Sequence, residues 1–402
     1  MNSADKADAI VIGSGIIGAM SAFYLRADGH SVTLIERGEI AGGASRGNAG
    51  ILAFAEIIPI AAPGVMKKAP KWLLDPLGPL SLPPGYALQI APWLWRFWRA
   101  GALPAFRHGI KVQAAMMGLA QTEMQHVLAH TSLGYIVGNT GTLDLYDSEQ
   151  SLKAAASDWR EKARAGVVLD MIGRGDIDRL QPGLAGQFRH GISTPAGLQV
   201  AGPQDFTRAI IDHTVSQGTA RGSCWPTARC CRRKPLSLQP ERGRRRWQKA
   251  SATTRRSKRN AVTTRRCHET PFRCNANSIS NDHGFVVTPL STGIRIGGAV
   301  ELGGLKMEPD YRRSEAMLKK AKSFLPDPNT EGGRQWMGFR PSMPDSILVI
   351  GTSKATSAVI YAFGHGHLGL TQSVSTGRLV SDIVARRNPA IAIDPFRIGR
   401  FS

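Results

Sequence analysis

Ala9-Ile10-Val11-Ile12-Gly13-Ser14-Gly15-Ile16-Ile17-Gly18 is the stretch whose reading decides the fold. Its first four residues form a short apolar run, read as a buried parallel strand. The next six make a G-x-G-x-x-G turn, and Ala19, Ala22, Phe23 and Leu25 predict a helix ending near Asp28-Gly29. A second strand is expected from Ser31 to Ile35, closing at Glu36. In this order the parts suit a dinucleotide. Gly13 permits the tight turn, Gly15 lets backbone approach a pyrophosphate, and Gly18 lets the helix pack on the strand, while the helix N-terminus offers free N–H groups. Glu36, 23 residues after Gly13, stands where an acid can hydrogen-bond an adenosine ribose. A glycine-rich turn without a ligand is the competing reading; the strand, the helix and the acid together count against it.

Working outward, 402 residues suggest two domains or a discontinuous pair, and 44 glycines with 42% hydrophobic residues fit an α/β enzyme. The net charge of +21 is local: residues 221–274 hold 17 of the 51 Lys and Arg and all five cysteines. The rest of the chain carries +6, so the basic balance says little about partners of the whole protein. Without a cysteine elsewhere, no disulfide framework is available, which points to a cytosolic setting. No signal peptide is expected at the N-terminus, and no uncharged apolar run is long enough to span a bilayer.

Glu36-Arg37 is followed by the small-residue loop Gly42-Gly43-Ala44-Ser45-Arg46-Gly47-Asn48-Ala49-Gly50, which suits backbone lying close to a bulky second part of a cofactor. Farther on stand Trp336-Met337-Gly338-Phe339-Arg340-Pro341-Ser342-Met343-Pro344-Asp345-Ser346 and Tyr361-Ala362-Phe363-Gly364-His365-Gly366-His367-Leu368-Gly369-Leu370-Thr371. On these motifs, over about residues 6–217 and 281–401, the chain resembles the D-amino acid oxidase-like family of FAD enzymes and, within it, the small subunit of bacterial D-amino acid dehydrogenase.

The resemblance implies an α/β fold, with a Rossmann-type FAD-binding domain and a mixed or antiparallel-sheet substrate domain. The FAD-binding domain is expected from residues 6–55, 150–220 and 335–400, and the substrate domain from 56–149 and 281–334. Asp282–Pro289, Gly293–Gly298 and Glu301–Gly304 read as successive strands of the substrate sheet. The expected FAD-binding residues are Ile12, Gly13, Gly15, Ile16, Ile17, Gly18, Glu36, Arg37, Gly43, Ser45, Asn48, Ala49, Gly50, Gly366, Leu368, Gly369, Leu370 and Thr371. For Asn48 an Asx turn competes with a cofactor contact. No metal site is expected.

The implied activity is oxidative deamination of small D-amino acids to 2-oxo acids and ammonia, by hydride transfer from Cα to flavin N5, with electrons passed to a quinone-type acceptor. A glycine- or sarcosine-type amine oxidase using oxygen is one alternative, and an inactive product with little FAD binding is another. Arg340 is the candidate for gripping the substrate carboxylate, against a structural pairing with Asp345. The loop Gly364–Gly369 can present N–H groups to a reduced ring, with His365 and His367 lining the site or serving as structural donors. Related amine oxidases carry a second arginine near His367, so a two-arginine clamp is in doubt. No general base stands out. Trp93, Trp95, Phe97 and Trp98, with Arg96, Arg99 and Arg107, read as packed core or as a membrane-surface and quinone-approach face. The second reading would put a cytoplasmic protein at the inner face of the cytoplasmic membrane.

Residues Asp205 to Gln217 predict a helix with Phe206, Ile210, Ile211 and Val215 on its apolar face; beyond it apolar periodicity vanishes until Phe285. Runs such as Cys230-Cys231-Arg232-Arg233-Lys234 and Arg244-Arg245-Arg246 admit three readings. A nucleic-acid arm lacks aromatic interleaving, so no nucleic-acid partner is expected. A zinc site lacks C-x-x-C pairs. The third reading is a pair of compensating frameshifts, near 217–221 and 268–279, which would leave 221–280 disordered.

Overall fold

The computed structural model describes residues 8–74, 80–217, 221–224, 258–267, 274–305, 308–325 and 333–401. Strands Ala9–Ile12 and Val32–Glu36 pair in parallel, Ala9 opposite Val32 and Ile12 opposite Ile35, and helix Ile16–Ala27 joins them. This is the expected βαβ unit. Burial of the first strand is corrected: Ile10 and Ile12 are 61% and 67% exposed, and Ile35 on its partner 40%. Among the described residues, nothing packs over that face closely enough to exclude water.

The unit is held from the side of its helix. Helix Pro203–Ser216 packs Phe206, Ile210 and Ile211 with Phe23 and Tyr24, joined by Met124 from helix Leu103–His130 and Val374 from helix Ser373–Val384. The predicted face holds except for Val215, which is exposed near the helix end. The approach of Ile16–Ala27 to Ser373–Val384 is close enough that a Cβ at Gly377 would sit 2.6 Å from the Met20 carbonyl oxygen. The two ends of the chain therefore form one body.

The second layer is a nine-stranded sheet. From one edge its order is Gln335–Ser342, Lys258–Cys267, Gly293–Glu301, Phe285–Leu290, Asn277–Ser280, Thr142–Tyr146, His190–Thr194 and Asp170–Gly173, with Leu80–Ser81 also paired to Gly293–Glu301. Neighbours are antiparallel except Asn277–Ser280 against Thr142–Tyr146 and Leu80–Ser81 against Gly293–Glu301. Its core holds Leu143, Leu145, Phe285, Val287, Ile296 and Phe324, with helix Arg312–Lys322 supplying Met317 and Leu318. The expected third strand at Glu301–Gly304 is corrected: Glu301 ends the preceding strand, and the backbone turns at Gly304, φ +79°. A smaller sheet, Ile51–Leu52, Leu198–Val200 and Val137–Gly138, links the two layers.

Sheet membership runs across the domain boundaries expected from sequence. Asp170–Gly173, His190–Thr194 and Gln335–Ser342 all pair in the large sheet, because strand partners are chosen by register and not by nearness in the chain. The stretch 221–280 lies mostly outside the described residues. The expectation of disorder falls mostly on residues outside those described; of the described ones, Arg221–Cys224 pairs with Val32–Glu36, Lys258–Cys267 lies between Gly293–Glu301 and Gln335–Ser342, and Asn277–Ser280 is also a strand. Backbone ladders do not require particular side chains. No helix among the described residues is long and apolar enough to cross a membrane.

Candidate functional site

The turn after the first strand is built for close approach. Gly13 has φ +104°, and a Cβ at Gly18 would sit 1.8 Å from the Gly13 carbonyl oxygen, so helix and turn meet without a side chain between them. Gly15 caps the helix with no side-chain hydrogen bond; within this turn Ser14 N donates to Glu36 Oε2 at 2.8 Å and Ile16 N to Ser45 Oγ at 3.1 Å. Free N–H groups at a helix N-terminus, cradled by glycine, suit a pyrophosphate.

Glu36 ends its strand facing the same turn. Its Oε2 accepts from Ser14 N (2.8 Å) and Ser14 Oγ (2.9 Å), and its Oε1 from Arg37 N (2.8 Å) and Gly38 N (3.1 Å). Burial pushes its pKa up, but these four hydrogen bonds outweigh burial and hold the carboxyl below its usual range. It is ionised at neutral pH and half-buried, as a ribose acceptor must be. Ile12, Ile17, Arg37 and Gly43 lie around the turn and the loop after Glu36, with Arg37 and Gly43 exposed.

In the small-residue loop, Asn48 Oδ1 accepts from Gly50 N at 2.8 Å, an Asx turn. The Asn48 carbonyl accepts from Arg295, and the Ala49 carbonyl from Gln199 Nε2 at 3.1 Å. Gly50 has φ +82°, and a Cβ there would collide with the Val200 carbonyl at 2.4 Å. Trp336 lies against this loop: a Cβ at Gly47 would meet its ring at 1.8 Å, and one at Gly338 at 1.9 Å. Trp336, Gly338 and Arg340 alternate along strand Gln335–Ser342, so all three share one face.

Arg340 is not paired with Asp345. Asp345 is held by Arg400, with Nε–Oδ2 at 2.7 Å and a second bond at 3.1 Å. Arg340 forms no ion pair among the described residues, and burial pushes its guanidinium down to about 10, still cationic at neutral pH. His365 is a structural donor or acceptor: its Nε2 lies 2.9 Å from Thr376 Oγ1, and its backbone bridges Ser342. Burial pushes its pKa down to about 3. His367 keeps an exposed surface although protein surrounds most of its ring. Burial first, then the Arg340 charge and, more weakly, that of Lys162, push its ring down to about 4 against the opposing pull of Glu56. Both imidazoles are therefore neutral.

The loop carrying them runs through Gly364 and Gly366, both at positive φ, to Leu368, Gly369, Leu370 and Thr371, and helix Ser373–Val384 follows. Thr371 Oγ1 accepts from Ala53 N at 3.0 Å, which ties this loop to the segment after Gly50. The cradle, the small-residue loop, Arg340 and the Gly364–Thr371 loop thus converge.

Sequence reasoning missed a buried charge cluster beside them. Glu56 pairs with Lys162, whose ammonium also lies 4.3 Å from the Trp159 ring centroid. Asp144 is 5% exposed and accepts from Asn281 Nδ2 at 3.0 Å. Burial pushes Asp144 up to about 6. Burial likewise works against the charges of Glu56 and Lys162, yet their attraction prevails and keeps both ionised. Glu56 did carry a signal, as the single charge in the apolar run Ile51–Ile60.

The sequence model of the FAD dependent oxidoreductase family, DAO, matches residues 8–221 and 243–383. A D-amino-acid oxidase from Bradyrhizobium diazoefficiens is 30% identical over 418 aligned positions, covering 97% of this chain and 98% of that protein. Glycine oxidase from Geobacillus kaustophilus superposes with a TM-score of 0.67 at 19% identity, over 98% of each chain. L-proline dehydrogenase from P. horikoshii gives 0.69 at 16% identity, also over 98% of each. Both structures share the fold.

His365 makes stability depend on pH. Its folded pKa lies far below the ordinary imidazole value of about 6.5, so its contribution is complete above that value and is lost as pH falls from there toward 3. Comparing urea midpoints of the wild type and His365→Asn, the stability gap should shrink by about 2 kcal/mol between pH 6.5 and 4.5. A gap independent of pH would show that the folded ring titrates as it does in the unfolded chain.

Proposed function

This chain belongs to the FAD dependent oxidoreductase family, and we propose that it deaminates small D-amino acids oxidatively to 2-oxo acids and ammonia, as a D-amino acid dehydrogenase small subunit passing electrons to a quinone-type acceptor. The observation that carries the reading is Arg340, a partly buried cation without an ion-pair partner among the described residues, beside a neutral His367.

FAD, the family's cofactor, would be held by the residues of the cradle. Gly13, Gly15, Ile16 and Gly18 would take the pyrophosphate, Glu36 the ribose, and Ser45, Ala49, Gly50 and Leu368–Thr371 the flavin end, with Ile12, Ile17, Arg37, Gly43, Asn48 and Gly366 around them. The glycine contacts that no Cβ could share fit such a group. Bound FAD would supply the acceptor for the hydride, which carries both electrons, leaving the substrate Cα. Arg340 would bind and orient the substrate carboxylate through two hydrogen bonds. His367, neutral in this compartment, places no competing positive charge beside the substrate amine. His365 keeps the loop in place through Thr376 and Ser342. Water then converts the imino product to 2-oxo acid and ammonia. The nucleotide-binding unit comprises both ends of the chain and helix Pro203–Ser216, and the large sheet forms the substrate side.

Helix Pro84–Ala100 favours a peripheral membrane contact at the inner face of the cytoplasmic membrane. Trp93 is buried and Phe97 stacks on it, but Leu88, Trp95 and Trp98 are 88%, 53% and 60% exposed. Arg99 lies 4.8 Å over the Trp95 ring. An apolar stripe edged by cations suits an anionic lipid surface. The frameshift reading is supported by two observations. The interval unmatched by the family, 222–242, falls inside the Arg- and Cys-rich stretch, and Ile10, Ile12 and Ile35 are exposed in a strand pair of the type that is buried on both faces.

Three measurements test these readings. D-Alanine added without oxygen should bleach the flavin absorbance of reconstituted protein; Arg340→Met should lower kcat/KM roughly 100-fold, and Arg340→Lys should restore part of the loss. Bleaching by glycine or sarcosine alone, with rapid peroxide formation in air, would favour the oxidase instead. Sedimentation with anionic vesicles should weaken in a Leu88→Asn/Trp95→Ala/Trp98→Ala variant, and equal binding would remove the membrane reading. Resequencing the codons for residues 210–285 should reveal indels that restore apolar strands. Confirmation of the present codons would leave the inactive, flavin-poor product as the reading of this chain.

A further inference from the structure

We propose that the cavity between Glu56 and Asp144 receives the substrate's side chain and selects one ending in a cation over one ending in a carboxylate. The inference rests on the reading that Arg340 holds the substrate's α-carboxylate.

The cavity has a volume of about 170 Å³, of the order of one that admits benzene. Its walls are mixed. Leu52, Phe54, Ile57, Met117 and Ile279 are apolar, while Glu56 and Asp144 supply carboxylates. This suits a flexible hydrocarbon chain with a polar end.

The charges decide which end. Lys162 is buried at 5% exposure and paired to Glu56. Asp144 has one oxygen, Oδ1, occupied by Asn281 Nδ2. Its Oδ2 has no hydrogen-bond partner among the described residues, although the residue is only 5% exposed. Two carboxylates face one ammonium, so above the Asp144 pKa of about 6 the cluster carries one net negative charge. An incoming cation would meet a free acceptor; an incoming carboxylate would meet two like charges in a compartment of reduced dielectric.

The cavity also adjoins the proposed reaction site. Glu56 lies six residues after Gly50, in the segment tied to the Gly364–Thr371 loop through Ala53 and Thr371. The ionisation of His367 responds to Arg340 and Lys162, which lower its pKa, and to Glu56, which raises it. A substrate whose carboxylate meets Arg340 therefore has this cluster within electrostatic reach of its side chain.

The test compares kcat/KM of the FAD-loaded protein for D-arginine and D-glutamate at pH 8, with a binding measurement beside it. The expected ratio favours D-arginine by at least about tenfold. Glu56→Gln and Asp144→Asn should each cut that ratio about tenfold; the second keeps the Glu56–Lys162 pair and so guards against a folding defect in the first. Calorimetry with two analogues that lack the α-amine, 5-guanidinopentanoate and glutarate, should show at least about tenfold tighter binding of the first. Equal turnover of the two amino acids, or equal binding of the two analogues, would overturn the pocket while leaving D-alanine oxidation intact. Failure of every D-amino acid to bleach the flavin, with the calorimetric preference retained, would instead overturn the deamination reading and uphold the pocket.

Discussion

The close approach of helix Ile16–Ala27 to helix Ser373–Val384 is the constraint on which the architecture depends. The first helix opens at the nucleotide cradle, and the second follows the loop with His365 and His367, so their contact sets the spacing between cradle and substrate loop. Gly377 allows it, since a Cβ would sit 2.6 Å from the Met20 carbonyl oxygen and 2.7 Å from the Tyr24 ring. Charge locks the contact. Asp382, fully buried, accepts from Arg378 and Arg387, and Arg387 reaches across to Asp28 at 2.7 Å. Tyr24 donates to Glu123 at 2.7 Å, which brings in helix Leu103–His130. A buried carboxylate is tolerable only with such partners, so the seam cannot slide without breaking several bonds together.

Two arginines sixty residues apart in sequence show how differently the fold treats two cations. Arg400 spends its guanidinium on Asp345 and the Ile347 carbonyl. Arg340 has no such anion among the described residues, and its lowered pKa records only the loss of water around it. Burying a lone charge is unfavourable; a cleft that admits water, and an anionic ligand in its place, relieves the cost. The Glu56–Lys162 pair is the opposite case, in which a neutralised charge pair is built into the wall. On the proposed reading, Arg340, without an ion-pair partner among the described residues, and a neutral His367 would share the site with a net negative wall, which suits a ligand carrying its own negative and positive ends.

Much of this was legible in the sequence where local chemistry dictates the outcome. Gly13, Gly18 and Glu36 are required by backbone geometry and hydrogen-bond valence at a strand–turn–helix junction, and such requirements write themselves into residue type and spacing. The helix carrying Phe206 and Ile210 was legible through its period. Strand partnership was not. Gln335–Ser342 joins the large sheet through Lys258–Cys267, a pairing across about seventy residues that no local pattern encodes. The roles of Lys162 and Asp144 were hidden for the same reason: on a solvated helix and an apolar strand each looks ordinary until the fold brings Glu56 between them. Asn48 shows the converse, since its Asx turn was one of two readings the sequence allowed and only the Gly50 hydrogen bond separated them.

In the Arg- and Cys-rich stretch, backbone pairing and side-chain cover part company. Arg221–Cys224 can extend the parallel pair beside Val32–Glu36, and Lys258–Cys267 can sit between two strands, because ladder hydrogen bonds are the same for any side chain. Apolar cover is different: Ile10, Ile12 and Ile35 remain exposed to water, and arginine-rich sequence cannot supply the surface that would bury them. The cradle's own hydrogen bonds, from Ser14, Ser45 and Glu36, use no residue of that stretch. Loosening of the strands beneath the cradle would therefore act on it through the backbone, and not through these hydrogen bonds.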